Sequence, residues 1–128
     1  MIVDSSAVTS IFLRKSGCER LIDALADSGF SGVGAPTLAE ASLELAEPLG
    51  ADVHSLLARF VQEFDLQIVP FSDAHYRAAV DAYQRYGAGR HTAALDFGDC
   101  LAYATARLAK QPLLCDDERF RATDLPLA

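Results

Sequence analysis

The chain has 128 residues, is 51% hydrophobic by composition and carries a formal charge of −7. That is enough apolar material for one domain with a real core and too little for two. No apolar run approaches the roughly 20 residues of a membrane helix, and the net acidity opposes a general nucleic-acid binder that relies on cations set against phosphates.

The opening Ile2-Val3 reads as a short β-branched strand ending in Asp4, with Ser5-Ser6 leading into a helical segment from Ala7 to Arg14. A second amphipathic helix is expected over Cys18 to Ser28, stopped at Gly29, followed by a small strand, Val33-Gly34-Ala35, before Pro36. Thr37-Leu38-Ala39-Glu40 has the S/T-x-x-E form of a helix start, and Pro48-Leu49-Gly50 ends that helix. Asp52 to Phe64 is again helical in pattern, and Leu66 to Val69 is an apolar strand closed by Pro70. Ser72 caps a helix running to about Tyr86, and Gly87 to Thr92 is a loop. Phe97-Gly98-Asp99 opens a helix over Cys100 to about Ala109, and Leu113-Leu114-Cys115 is the last strand, ending at Asp116-Asp117. Short strands alternating with helices predict an α/β domain with a mainly parallel sheet.

Three dispersed cysteines, Cys18, Cys100 and Cys115, lack any C-x-x-C pair, so they are read as reduced and buried rather than as a disulfide framework or zinc knuckle. Met1-Ile2-Val3-Asp4 has no basic n-region, which predicts a cytoplasmic protein.

In open parallel sheets the ligand crevice lies beyond the carboxyl ends of the strands, where Asp4 and Asp116-Asp117 fall. Glu40 and Asp99 stand in first turns of helices and can face the same edge. Four carboxylates within about 5 Å of one another repel by roughly 3 kcal/mol per pair at an effective dielectric of about 20. Protons relieve that repulsion by raising pKa values, or a hard cation does, and Mg²⁺ or Mn²⁺ prefers such oxygen ligands. A bound cation also supplies local positive charge to a polyanion, which offsets the objection from net charge.

Each acid also has a plainer explanation. Asp4 can end a strand and favour a helix N-terminus, as can Asp99. Glu40 has the strongest alternative, a capping box with Thr37. Ser6 either caps a helix or orients a carboxylate. Asp96, Asp116 and Asp124 read as solvated loop acids, His91 as a loop hydrogen-bonding residue, and His54 and His75 as isolated residues on helices. No phosphate-cradling G-x-x-x-x-G-K-[ST] loop is present.

Four blocks in order resemble the PIN-domain ribonucleases, specifically the VapC toxins of prokaryotic toxin–antitoxin pairs: I-V-D-S-S-A, A-P-T-L-A-E-A, Y-G-A-G-R-H-T-A-A-L-D-F-G-D-C-L-A-Y-A and P-L-L-C-D-D-E-R-F. The third block is the most specific, and the similarity covers nearly the whole chain, implying one PIN domain over 1–128 with a three-layer fold. The resemblance implies a Mg²⁺- or Mn²⁺-dependent endoribonuclease with Asp4, Glu40, Asp99 and Asp117 as its acids. Asp4 and Asp99 would be the metal ligands, and Ser6 an orienting hydroxyl. Asp117 fits the family spacing Asp-x-x-Phe, whereas counting from an Asp-Phe pattern puts Arg119 in an acidic slot. Arg90 and Arg85 are candidates for phosphate contact.

Such toxins pair as homodimers and are held inactive by a VapB-like antitoxin in hetero-oligomers; Ile11 to Leu13 and Leu21 to Leu25 offer helix faces for such contacts, with core packing as the alternative. Two rival readings remain open. One is a catalytically inactive PIN-like protein-binding module, which loss of acids would mark. The other is a phosphoacceptor domain, which would need an Asp directly after a central strand, and neither Val33-Gly34-Ala35 nor Leu66 to Val69 leads into one.

Overall fold

The structure, a computed structural model, describes residues 1–50 and 52–128. Four parallel strands form the sheet: β1 (Ile2–Val3), β2 (Gly32–Gly34), β3 (Gln67–Val69) and β4 (Leu113–Leu114), in the order β3-β2-β1-β4. Ile2 pairs with Gly32 on one side and Leu113 on the other, and Val3 likewise with Val33 and Leu114, which makes β1 a central strand. Parallel neighbours need crossovers long enough for a helix. The chain supplies α1 (Ser5–Phe12), α2 (Cys18–Asp27), α3 (Ala35–Leu49), α4 (Val53–Glu63), α5 (Asp73–Tyr86) and α6 (Phe97–Ala109).

Side chains alternate across strands of period two, so adjacent strand residues feed separate cores. Ile2 and Leu113 join α5 and α6 in one, with Ala82, Tyr103 and Phe120; Val3, Val33 and Leu114 join the other, with Val8, Leu21, Leu45, Leu57 and Phe60 from α1 to α4. The result is the expected α/β/α arrangement in three layers. Each fully buried aliphatic side chain contributes roughly 1.5–3 kcal/mol. Helix α6 is buried nearly all round, from Gly98 to Ala106, and its small residues Ala102, Ala104 and Ala106 let the sheet and α5 approach closely.

Most predicted boundaries agree with the observed ones to within a residue or two. The exceptions are informative. Helix α3 begins at Ala35, behind an N-cap at Gly34, rather than at Thr37. A short 3₁₀ turn, Glu118–Ala122, follows β4 where no element is predicted. Gly50 ends α3 in the left-handed region (φ 58°), the stop expected of Pro48-Leu49-Gly50. All three cysteines are free and buried, and among the described residues no helix is long and apolar enough to cross a membrane.

Candidate active site

Asp4 is the first residue past β1 and the N-cap of α1. Its Oδ2 accepts from the Ser6 N–H at 3.0 Å and from the Ser6 hydroxyl at 2.5 Å. Ser6 Oγ in turn accepts from the Asp116 N–H at 2.9 Å, so one hydroxyl ties the end of β1 to the end of β4. The plain capping explanation for Asp4 is therefore correct but incomplete, because Oδ1 is buried and has no hydrogen-bond partner. Burial pushes the carboxyl up to about 6 against the pull of the Ser6 bonds, and the nearby Glu40 charge adds to the rise.

Glu40 is half-buried in the second turn of α3. The capping box proposed for it with Thr37 does not form: Thr37 lies inside the helix, its hydroxyl buried and unpartnered. The Glu40 carboxylate instead lies directly over Gly98, the neighbour of Asp99, in space that any side chain at position 98 would fill. Burial raises its pKa, opposed by the Ser5 hydroxyl, with Glu44 and Asp96 adding to the rise. Glu44, one turn further on, is raised by burial and then by Asp4 and Asp96. Glu44 thus belongs to the same acidic field, a role the i,i+4 spacing to Glu40 offers as its only sequence signal.

Asp99 is 7% exposed in the first turn of α6. Its Oδ2 accepts the Asp96 N–H at 2.9 Å while Asp96 Oδ1 accepts the Asp99 N–H at 2.9 Å. Asp96 is exposed, as expected of a solvated acid, and its carboxylate has the further role of capping α6. Burial raises the Asp99 pKa, and the Asp96 charge adds to the rise, while the Asp96 N–H and the Arg119 guanidinium act against it.

Arg119, not foreseen as a site residue, reaches Asp99 Oδ2 at 2.9 Å and Asp117 Oδ2 at 2.5 Å. Burial would raise the Asp117 pKa, but the bonds from Arg119 outweigh it and hold the carboxyl below its usual range. Asp116 faces away, accepting from the Ser10 hydroxyl at 2.5 Å with Arg20 at 4.0 Å. Of the two adjacent acids, Asp117 is therefore the one linked to Asp99.

The two arginines that are candidates for phosphate contact differ in what already holds them. Arg85 stacks on Tyr86 at 4.9 Å, hydrogen-bonds its hydroxyl at 3.0 Å and pairs with Asp124 at 3.4 Å. Its guanidinium is committed to the C-terminal segment because Asp124 is no free loop acid: it also accepts from the Tyr103 hydroxyl at 2.6 Å and pairs with Arg107 at 2.9 Å. Arg90 lies over the Tyr83 ring at 5.5 Å, exposed in the loop before α6. His91 accepts from the Ala93 N–H at 3.0 Å, the loop role expected of it. His75 completes a capping box with Ser72, and the apolar faces of α2 divide, Leu21 and Leu25 in the core and Ile22 exposed.

An all-oxygen set with one unused, buried carboxylate oxygen fits a hard divalent cation. Among the described residues, no three acidic, histidine or cysteine side chains close around one point.

The PIN-domain family model matches residues 1–125. Ribonuclease VapC36 of Mycobacterium tuberculosis is 40% identical over 126 residues, which is 98% of this chain and 91% of that protein. This chain is a PIN-domain protein of the VapC ribonuclease family. Solved PIN-domain toxins share its fold at low sequence identity. The VapC20 toxin of M. tuberculosis, described as cleaving the sarcin–ricin loop, superposes with a TM-score of 0.79 at 14% identity, over 99% of this chain and 97% of that one. The VapBC2 complex of Rickettsia felis, solved with a promoter DNA fragment, gives 0.73 at 16% identity over 99% and 96%. In this chain Asp4 directly follows β1, and Glu40 of α3 lies over Gly98 at the start of α6.

Proposed function

We propose that this PIN-domain chain is a Mg²⁺- or Mn²⁺-dependent endoribonuclease toxin that hydrolyses RNA phosphodiester bonds and is neutralised by a VapB-like antitoxin. The observation that carries the proposal is the Asp4 carboxylate, buried at the carboxyl end of the central strand with one oxygen unpaired. A fold does not maintain such an atom for stability, since an unsatisfied buried polar group costs roughly 1–3 kcal/mol. The family relationship supports the activity, and metal dependence is typical of PIN domains.

Asp4 and Asp99 would hold the cation, with waters completing a shell that Mg²⁺ seldom gives up to protein alone. When bound, such an ion supplies positive charge against the phosphate and acidifies water. Glu40, pressed over Gly98 beside Asp99, orients what the ion brings, and Ser6 fixes the Asp4 rotamer through Oδ2 so that Oδ1 is left unpaired. Asp117 holds Arg119 at the Asp99 side of the site. Arg90, exposed and unpaired with any acid among the described residues, is the candidate for phosphate contact; Arg85 is held by Asp124. A homodimer, and a hetero-oligomer with antitoxin, follow from the resemblance, and the toxin–antitoxin complex among the structural relatives supports the partner class.

The test incubates purified protein with structured RNAs and Mg²⁺ or Mn²⁺, beside Asp4→Asn and Asp99→Asn. Cleavage is expected to fall in both variants by more than the roughly 10- to 100-fold typical of outer-shell changes. Equal cleavage by all three proteins would identify a contaminating nuclease. No cleavage by any, with a partner protein still bound, would favour the inactive binding module.

A further inference from the structure

Arg119 is the one cation in contact with both Asp99 and Asp117 among the described residues, and its bonds to them are unequal. Toward Asp117 it is bidentate, Nε at 3.1 and 3.0 Å from the two oxygens and one terminal nitrogen at 2.5 Å from Oδ2. Toward Asp99 it offers only that same terminal nitrogen, at 2.9 Å from an Oδ2 already shared with the Asp96 N–H. The remaining terminal nitrogen donates to the Ala94 carbonyl at 3.2 Å. The Asp117 grip spans two residues of one 3₁₀ turn and can persist on its own. The Asp99 contact bridges two elements and is the one that can open. The Arg119 side chain is 40% exposed and that of Asp99 9%, so the arginine has solvent to swing into and the acid does not.

We propose that Arg119 is an internal counter-ion that stands in for the divalent cation at Asp99, and that Asp99 exchanges it for the metal when the site loads. The inference rests on the cation site proposed above. Arg119 is then a positioning residue with two effects of opposite sign: it neutralises Asp99 and Asp117 in the cation-free protein, and it weakens cation binding by competing for Asp99. A purely structural ion pair would have only the first effect. Removing a unit charge at this distance should tighten cation binding by roughly tenfold or more.

The experiment titrates Mn²⁺ into wild type, Arg119→Ala and Arg119→Gln, with circular dichroism to confirm folding. In parallel, the ¹⁵N–¹H signal of the Arg119 side-chain Nε is followed in wild type during Mg²⁺ addition, with Arg107 as internal reference. Expected are a roughly tenfold lower Kd in the variants and a shift of the Arg119 signal that saturates with the cation. Binding to wild type with an unchanged or higher Kd in both variants overturns the inference and leaves the cation site intact. Should neither variant fold, an Arg119 signal unmoved at saturating Mg²⁺ overturns it equally. Absence of Mn²⁺ binding in wild type and variants alike would refute the cation site, and the exchange with it.

Discussion

At Asp4 a carboxylate is kept 2% exposed with Oδ1 unpaired, and the consequence for stability has a definite sign. Its folded pKa is raised from 3.8 to about 6, so between those values the folded state holds a proton that the unfolded chain has lost. Stability therefore falls as pH rises through that window, by about 3 kcal/mol for this group, and stays lowered above it. Glu40 shifts in the same direction, whereas Asp117 and Asp124 shift downward and act below the usual carboxylate range. Asp4→Asn is accordingly expected to raise the Tm of the cation-free protein at pH 7–8 by several degrees, and to lose most of that gain near pH 4. Thermal melts across pH decide it; a Tm difference independent of pH would show that the Asp4 charge is not what destabilises the fold.

Gly98 offers a second test at the same scale. A methyl there would overlap the Glu40 carboxylate, the mobile end of a half-buried side chain rather than backbone. Gly98→Ala should therefore displace Glu40 and cut RNA cleavage, while Ala's higher helix propensity keeps the Tm within a few degrees. Unchanged cleavage would remove Glu40 from the working site.

Among the elements, α6 couples folding to function most tightly. Its capping box joins Asp96 to Asp99 reciprocally, so one residue starts the helix and aims an acid. Asp96→Ala should cost about 1 kcal/mol in urea unfolding with an unchanged m-value, and should lower cleavage as well, because the Asp99 N–H loses its acceptor and the first turn that aims Asp99 is no longer pinned. A stability loss without any loss of cleavage would confine Asp96 to capping. Helix α3 shows where local pattern misled. A residue before proline is biased away from helical backbone, which placed Ala35 in the strand. Pro36 falls in the first turn, where its missing N–H costs nothing. That shift moved Thr37 off the cap and released Glu40 for the site.

Across the whole molecule, parallel strands with helices on both faces put every strand's carboxyl end on one rim. The C-terminal segment is secured to β4 and to α5 and α6: Leu127 bridges Leu113, and Asp124 gathers Tyr103, Arg107 and Arg85. This clamp absorbs one of the two arginines that the sequence offered to the substrate.

From the residues alone, the alternation of strand and helix follows from apolar periodicity, and Asp4, Glu40, Asp99 and the pair Asp116-Asp117 stand out by their expected places after strands and at helix starts, while only the family resemblance singles out Asp117. These are local properties, and a linear string carries them. The partners of each acid are not local. That Asp4 keeps one oxygen bare, that Glu40 sits over Gly98, that Asp116 turns to Ser10 while Asp117 faces Asp99, and that Arg119 bridges the latter two depend on contacts between residues distant in the chain. Only packing of the layers decides those, because burial and charge act through space and not along the backbone.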